Sequence, residues 1–132
     1  MYLDRLVNQG SVPVLEQFAQ FTDARQNLLG EDIANVSTPD YVQKDLSLEK
    51  FQAVLRKKVD KANSAGPGSV SFDDISMDIQ NPSNEILFHD GNNRSMEQLM
   101  SDQAKNALMH NLAVELLRTQ YAELETAIKE GK

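Results

Sequence analysis

From Ser95 to Ile128 the chain contains no Gly and no Pro, and apolar residues recur at helical spacing over the whole distance. This run limits the possible folds more than any other feature. Ser95 with Gln98 three residues on forms a capping box, which sets the start of a helix. Steps of three and four from Met100 reach Gln103, Ala107, His110, Val114, Leu117, Tyr121, Leu124 and Ile128, a heptad seam. A second stripe, Ala104, Leu108, Leu112 and Leu116, lies on a neighbouring face, so the helix carries more apolar surface than one partner helix covers. At 1.5 Å per residue it runs about 50 Å, longer than a compact domain of this size is wide.

A first long helix is expected from Ser11 and Pro13 to near Asn35, with Val14, Phe18, Phe21, Leu28, Ile33 and Val36 at helical spacing. Gly30 is its weak point. Pro39 biases Thr38 out of the α region, and Pro39-Asp40 suits the centre of a type I turn. A shorter helix from Ser47 to about Val59 carries Leu48, Phe51, Val54, Leu55 and Val59, and the basic cluster Arg56-Lys57-Lys58 with Lys61 offsets its dipole at the C-terminal end. Ser64 to Ser69 reads as a breaker. Val70, Phe72, Ile75, Met77 and Ile79 alternate with polar residues, as in short strands or an extended arm.

The expected fold is mostly α: long N- and C-terminal helices pair as a coiled coil or helical bundle around a small irregular or short-strand middle segment. The divisions are an N-terminal helical region over 1–59, a polar middle over 60–94 and a C-terminal long helix over 95–132. Val14, Phe18, Phe21, Leu28 and Ile33 at one end form the expected assembly interface with Leu108, Leu112, Val114, Leu117, Tyr121, Leu124 and Ile128 at the other.

Charge and composition narrow the function. Asp and Glu number 20 against 13 Lys and Arg, a net charge of −7, which argues against nucleic acid or anionic lipid as a partner. The absence of cysteine removes disulfides, thiol catalysis and cysteine-ligated metals. The first residues lack the basic and apolar regions of a cleavable signal, and no stretch approaches a membrane span. No catalytic, cofactor or metal residue stands out. His89-Asp90 is a loop dipeptide with no nucleophile to serve. His110 lacks a second ligand at i+3 or i+4 and is expected as a packed or register-setting histidine. Asp73, Asp74 and Asp78 lack the spacing of a calcium loop. Gly66-Pro67-Gly68 is a turn or linker rather than a phosphate loop, and the two Asn-X-Ser sequences at Asn35 and Asn93 already serve helix ends.

Residues 24–41, ending Ile33-Ala34-Asn35-Val36-Ser37-Thr38-Pro39-Asp40-Tyr41, resemble the signature of the flagellar rod and hook family, Asn-Ile-Ala-Asn, two variable residues, then Pro-Gly-Tyr. Asp90-Gly91-Asn92-Asn93, the start of the following helix and Ala104-Lys105-Asn106-Ala107-Leu108 are similar to the C-terminal part of proximal rod members. The resemblance implies a structural subunit of the proximal rod of the flagellar basal body, connecting the membrane-embedded base to the drive shaft. It implies export through the flagellum's own type III apparatus, and as partners copies of itself, other rod proteins and the adaptor proteins of the base. Asp32 stands where the family often has Asn, and Asp40 where it usually has Gly. Asp reaches positive φ less readily than Gly, so a different turn type is expected after Pro39. The alternatives are another rod subunit of the same family, or a cytoplasmic coiled-coil adaptor or secretion chaperone, which would stay in the cell as one closed oligomer.

Overall fold

The computed structural model of the protein describes residues 12–65, 87–89 and 93–131. Among these the chain is mostly α, with helices α1 (Val12–Ala34), α2 (Leu48–Ala65) and α3 (Met96–Glu130) and two short strands, β1 (Lys44–Leu46) and β2 (Leu87–His89). The expected strands around residues 70–79 lie outside the described residues. The strands pair antiparallel, Lys44 opposite His89 and Leu46 opposite Leu87, so His89 belongs to a strand rather than to the loop expected for it.

Two different surfaces of α1 hold the other helices. On one, Phe21 stacks on Phe51 of α2 with ring centroids 4.2 Å apart and planes 13° from parallel. Leu46 and Leu55 complete this buried cluster, and Val14, Phe18, Leu28 and Val54 pack around it. Burying a side chain such as Phe21 contributes roughly 2 kcal/mol, so this patch is the main apolar anchor of α2. The other surface of α1 meets α3. Gln103 lies over Gly30, His110 bonds Thr22 and Tyr121 bonds Glu16, pairs that run in opposite directions along the two helices, so α1 and α3 are antiparallel.

The helix ends follow local chemistry. Ser95 caps α3, its Oγ accepting from Gln98 N while Gln98 Oε1 accepts from Ser95 N. α1 ends at Ala34, and Asn35 closes it by donating from Nδ2 to the Glu31 carbonyl at 2.9 Å. Ser47 accepts from Lys50 N at 3.2 Å and starts α2. This helix runs on to Ala65 rather than stopping near Val59, with the Ser64 hydroxyl bonding back to the Asp60 carbonyl at 2.7 Å. Arg56, Lys57 and Lys58 therefore sit in its interior, and its last turn has no basic residue. The dipole-offset role expected for them does not hold.

The turn after α1 also differs from the type I expectation. Tyr41 N donates to the Thr38 carbonyl at 3.3 Å, and Asp40, the third residue of the turn, has φ of 61°. A positive φ at that position behind a proline is the mark of type II. Asp40 thus takes the backbone shape that Gly adopts freely.

Candidate assembly surface

Between α1 and α3 the contact mixes polar and apolar side chains where periodicity suggested an apolar seam. The side chains of α3 that become buried are Leu99, Asn106 and Ala113, seven residues apart. The predicted seam shares Gln103, His110, Leu117 and Leu124 with this line, but its other half is displaced by one residue. Met100 remains 56% exposed, and Tyr121 and Ile128 are about half exposed. Val114, Leu117 and Leu124 are half-buried at the edges of the seam.

Hydrogen bonds explain the displacement. Asn106 Nδ2 donates to the Thr22 carbonyl at 2.7 Å and to Gln26 Oε1 at 2.8 Å. The Thr22 hydroxyl has the carbonyls of Phe18 and Ala19 within 3.1 Å, so its single proton is engaged and its oxygen is left to accept from His110 Nδ1 at 2.9 Å. His110, expected as a packed or register-setting histidine, is half-buried and bonded to Thr22 across the pair. At the far end of the pair the Tyr121 hydroxyl donates to Glu16, which raises the phenol above its ordinary pKa.

A charged junction ties the strand to both helices. Asp45 is buried and accepts from Arg25 Nε at 2.8 Å and from Arg94 Nη2 at 3.1 Å, while Arg94 Nη1 donates to Asp102 at 2.6 Å. Gln43 accepts from Arg94 N at 2.8 Å and donates to its carbonyl at 3.0 Å. Nothing in sequence order announces this junction, because Asp45 and Arg94 are joined only by the fold.

The family-motif residues gather near it. Asp32 is fully buried, and its Oδ1 accepts from Lys44 N at 3.1 Å and from the Tyr41 hydroxyl at 3.4 Å. Burial outweighs these bonds and raises its carboxyl above the ordinary range. Asn93 donates to the Tyr41 carbonyl at 3.2 Å, and the Thr38 hydroxyl donates to Asn35 Oδ1 at 3.1 Å. Ile33 is half-buried, whereas Ala34, Thr38 and Pro39 are exposed. Asp90, Gly91 and Asn92 lie outside the described residues.

The apolar residues assigned to assembly thus fall in different environments. Val14, Phe18, Phe21 and Leu28 pack within the chain's own core. Leu108, Leu112 and Leu116 are 70%, 61% and 44% exposed on the side of α3 turned away from α1. A contiguous row of exposed leucines on a helix marks an interaction surface. Among the described residues no group of three His, Cys, Asp or Glu could hold a metal ion, and no helix is long and apolar enough to cross a membrane.

Fold and surface together define a mostly helical chain whose paired long helices leave a row of leucines exposed among the described residues. The chain is similar to the flagellar basal body rod protein FlgB of Bacillus subtilis (strain 168), 25% identical over 93% of this chain and 96% of the relative. It is likewise similar to the flagellar basal body rod protein FlgB of Yersinia enterocolitica, 24% identical over 98% of this chain and 99% of the relative. The resemblance first carried by two short motifs therefore extends over nearly the full length. No family model and no solved structure matches the chain.

Proposed function

We propose that this chain is a structural subunit of the proximal rod of the bacterial flagellar basal body. It connects the membrane-embedded base to the drive shaft and acts through shared helix contacts rather than through a reaction. The observation that carries this reading is the nearly full-length similarity to two FlgB rod proteins. The exposed Leu108, Leu112 and Leu116 support it, because a subunit of a helical array needs a face that its own fold leaves open. Its partners are copies of itself, other rod proteins and the adaptor proteins of the base, reached by export through the flagellar type III apparatus.

Deletion of the gene and fractionation of basal bodies test the reading. Loss of motility, together with recovery of the tagged protein in purified basal bodies, is the expected result. Protein that stays in the soluble fraction and never accompanies basal bodies would overturn it.

A further inference from the structure

α2 is basic on an acidic protein. It carries Lys50, Arg56, Lys57, Lys58 and Lys61 against Glu49 and Asp60, a net +3 in a chain of −7. Because the helix extends to Ala65, these charges do not serve its C-terminal dipole. Lys50, Lys57 and Lys61 are exposed, and at 100° per residue they fall within about 40° of one another, away from the face that meets α1. None of the three forms an ion pair among the described residues. Ala53 lies beside them, so lysine stems and a small side chain leave the ridge low enough for a second helix to approach.

α3 presents the complement. On its outward face Leu112 and Leu116 continue into Glu123 and Glu130, also within about 40° of one another. Glu123 and Glu130 are exposed and form no ion pair among the described residues, whereas neighbouring Glu125 is engaged with Lys129 at 3.1 Å. The two free acids are seven residues apart, as are Lys50 and Lys57, so both pairs repeat at about 10.5 Å along their helices. α2 packs on α1 and Leu46, and α3 packs on the other surface of α1, so the basic ridge and the acidic-apolar face belong to separate surfaces of one chain.

We infer that the Lys50-Lys57-Lys61 ridge of one copy seats on the Leu112-Leu116-Glu123-Glu130 face of the next copy. This rests on the rod reading and deepens it by naming the contacting surfaces. Because the two surfaces differ, the contact is heterologous and each added copy leaves one ridge and one face open, the condition for growth into a helical array. Charge fixes the orientation and speeds encounter.

Sedimentation of the purified full-length chain tests this contact. Wild type is expected to self-associate at low salt and to weaken at least tenfold near ~0.5 M salt, where exposed charges are screened. K50E/K57E and E123K/E130K should each weaken association about tenfold, since opposed charges then become like. The chain carrying all four changes should regain association. These positions are exposed, so circular dichroism should show unchanged helix content. Three results would each overturn the contact: a wild-type monomer at every salt concentration, association indifferent to salt and charge reversal, or failure of the fourfold variant to recover. Indifference would indicate pairing through the leucines alone, and a monomer would indicate an acidic partner other than this chain. Basal-body fractionation of the variants separates the two levels. Protein that accompanies basal bodies yet ignores charge reversal leaves the rod reading standing while the contact fails.

Discussion

The carboxylate of Asp32, at the end of α1, accepts the backbone N–H of Lys44 at 3.1 Å and so ties the start of β1 to the helix twelve residues earlier. Its second oxygen is buried without a partner among the described residues. The folded state raises this carboxyl's pKa by burial, so over the pH window just above 3.8 the native chain holds a proton that the unfolded chain has released. Stability contributed by this group is therefore present below the unfolded pKa and declines as pH rises through the folded one.

Asp32→Asn keeps the acceptor and removes the charge. Urea unfolding should show the variant more stable than wild type at pH 7, with the advantage disappearing by about pH 3, where wild-type Asp32 is protonated in both states. An equal advantage at both pH values would show that the buried charge is not its source.

Asp40→Gly should raise stability by about 1 kcal/mol, because Gly takes φ of 61° without the steric cost an L side chain meets there. Denaturant midpoints measure it. The gain is reduced by the extra freedom Gly has in the unfolded chain.

Gly30 lies in the interior of α1, and a Cβ placed there would meet Gln103 Nε2 at 3.7 Å, an ordinary contact. Gly30→Ala should therefore stabilise by about 1 kcal/mol, the helix-propensity difference. A loss of stability would mean that α1 and α3 need a closer approach at this level than 3.7 Å allows.

Asn106 is buried between the helices with its Oδ1 lacking a partner among the described residues. Asn106→Leu removes that unsatisfied group but also leaves the Gln26 and Thr22 acceptors without their donor, and should lower resistance to denaturant by about 1 kcal/mol. The same change removes the bonds to Thr22 and Gln26 that define how α3 sits on α1, so amide spectra should broaden or double as alternative registers become populated. Sharp, single resonances in the variant would assign the register to other contacts.

Much of this arrangement was legible in the sequence. The capping box at Ser95, the end of α1 at Ala34 and the pairing of terminal helices all follow from local signals, because side chains near a helix end act on backbone groups a few residues away. The seam of α3 was half right. Apolar spacing identifies Gln103, His110, Leu117 and Leu124, but it cannot foresee that a polar Asn106 finds two acceptors on α1 and draws its face inward. The end of α2 was misplaced because residues after Val59 are polar, although Ala62, Ser64 and Ala65 all tolerate a helix. β1 escaped notice for a different reason: Lys44-Asp45-Leu46 has no strand-like apolar alternation, and Asp45 is buried only because Arg25 and Arg94 come to it from distant positions.

The two joints that α1 makes resist different motions. Its contact with α2 is built on stacked rings and aliphatic groups, held together chiefly by apolar burial. Its contact with α3 is held by donors and acceptors aimed at single partners, Asn106 at Thr22 and Gln26, and His110 at Thr22. Twisting α3 about α1 misaligns all of them together, and hydrogen bonds weaken steeply with angle. The angle of α3 on α1 is thus specified by directed bonds, whereas α2 is held by apolar burial, a division set by a handful of side chains.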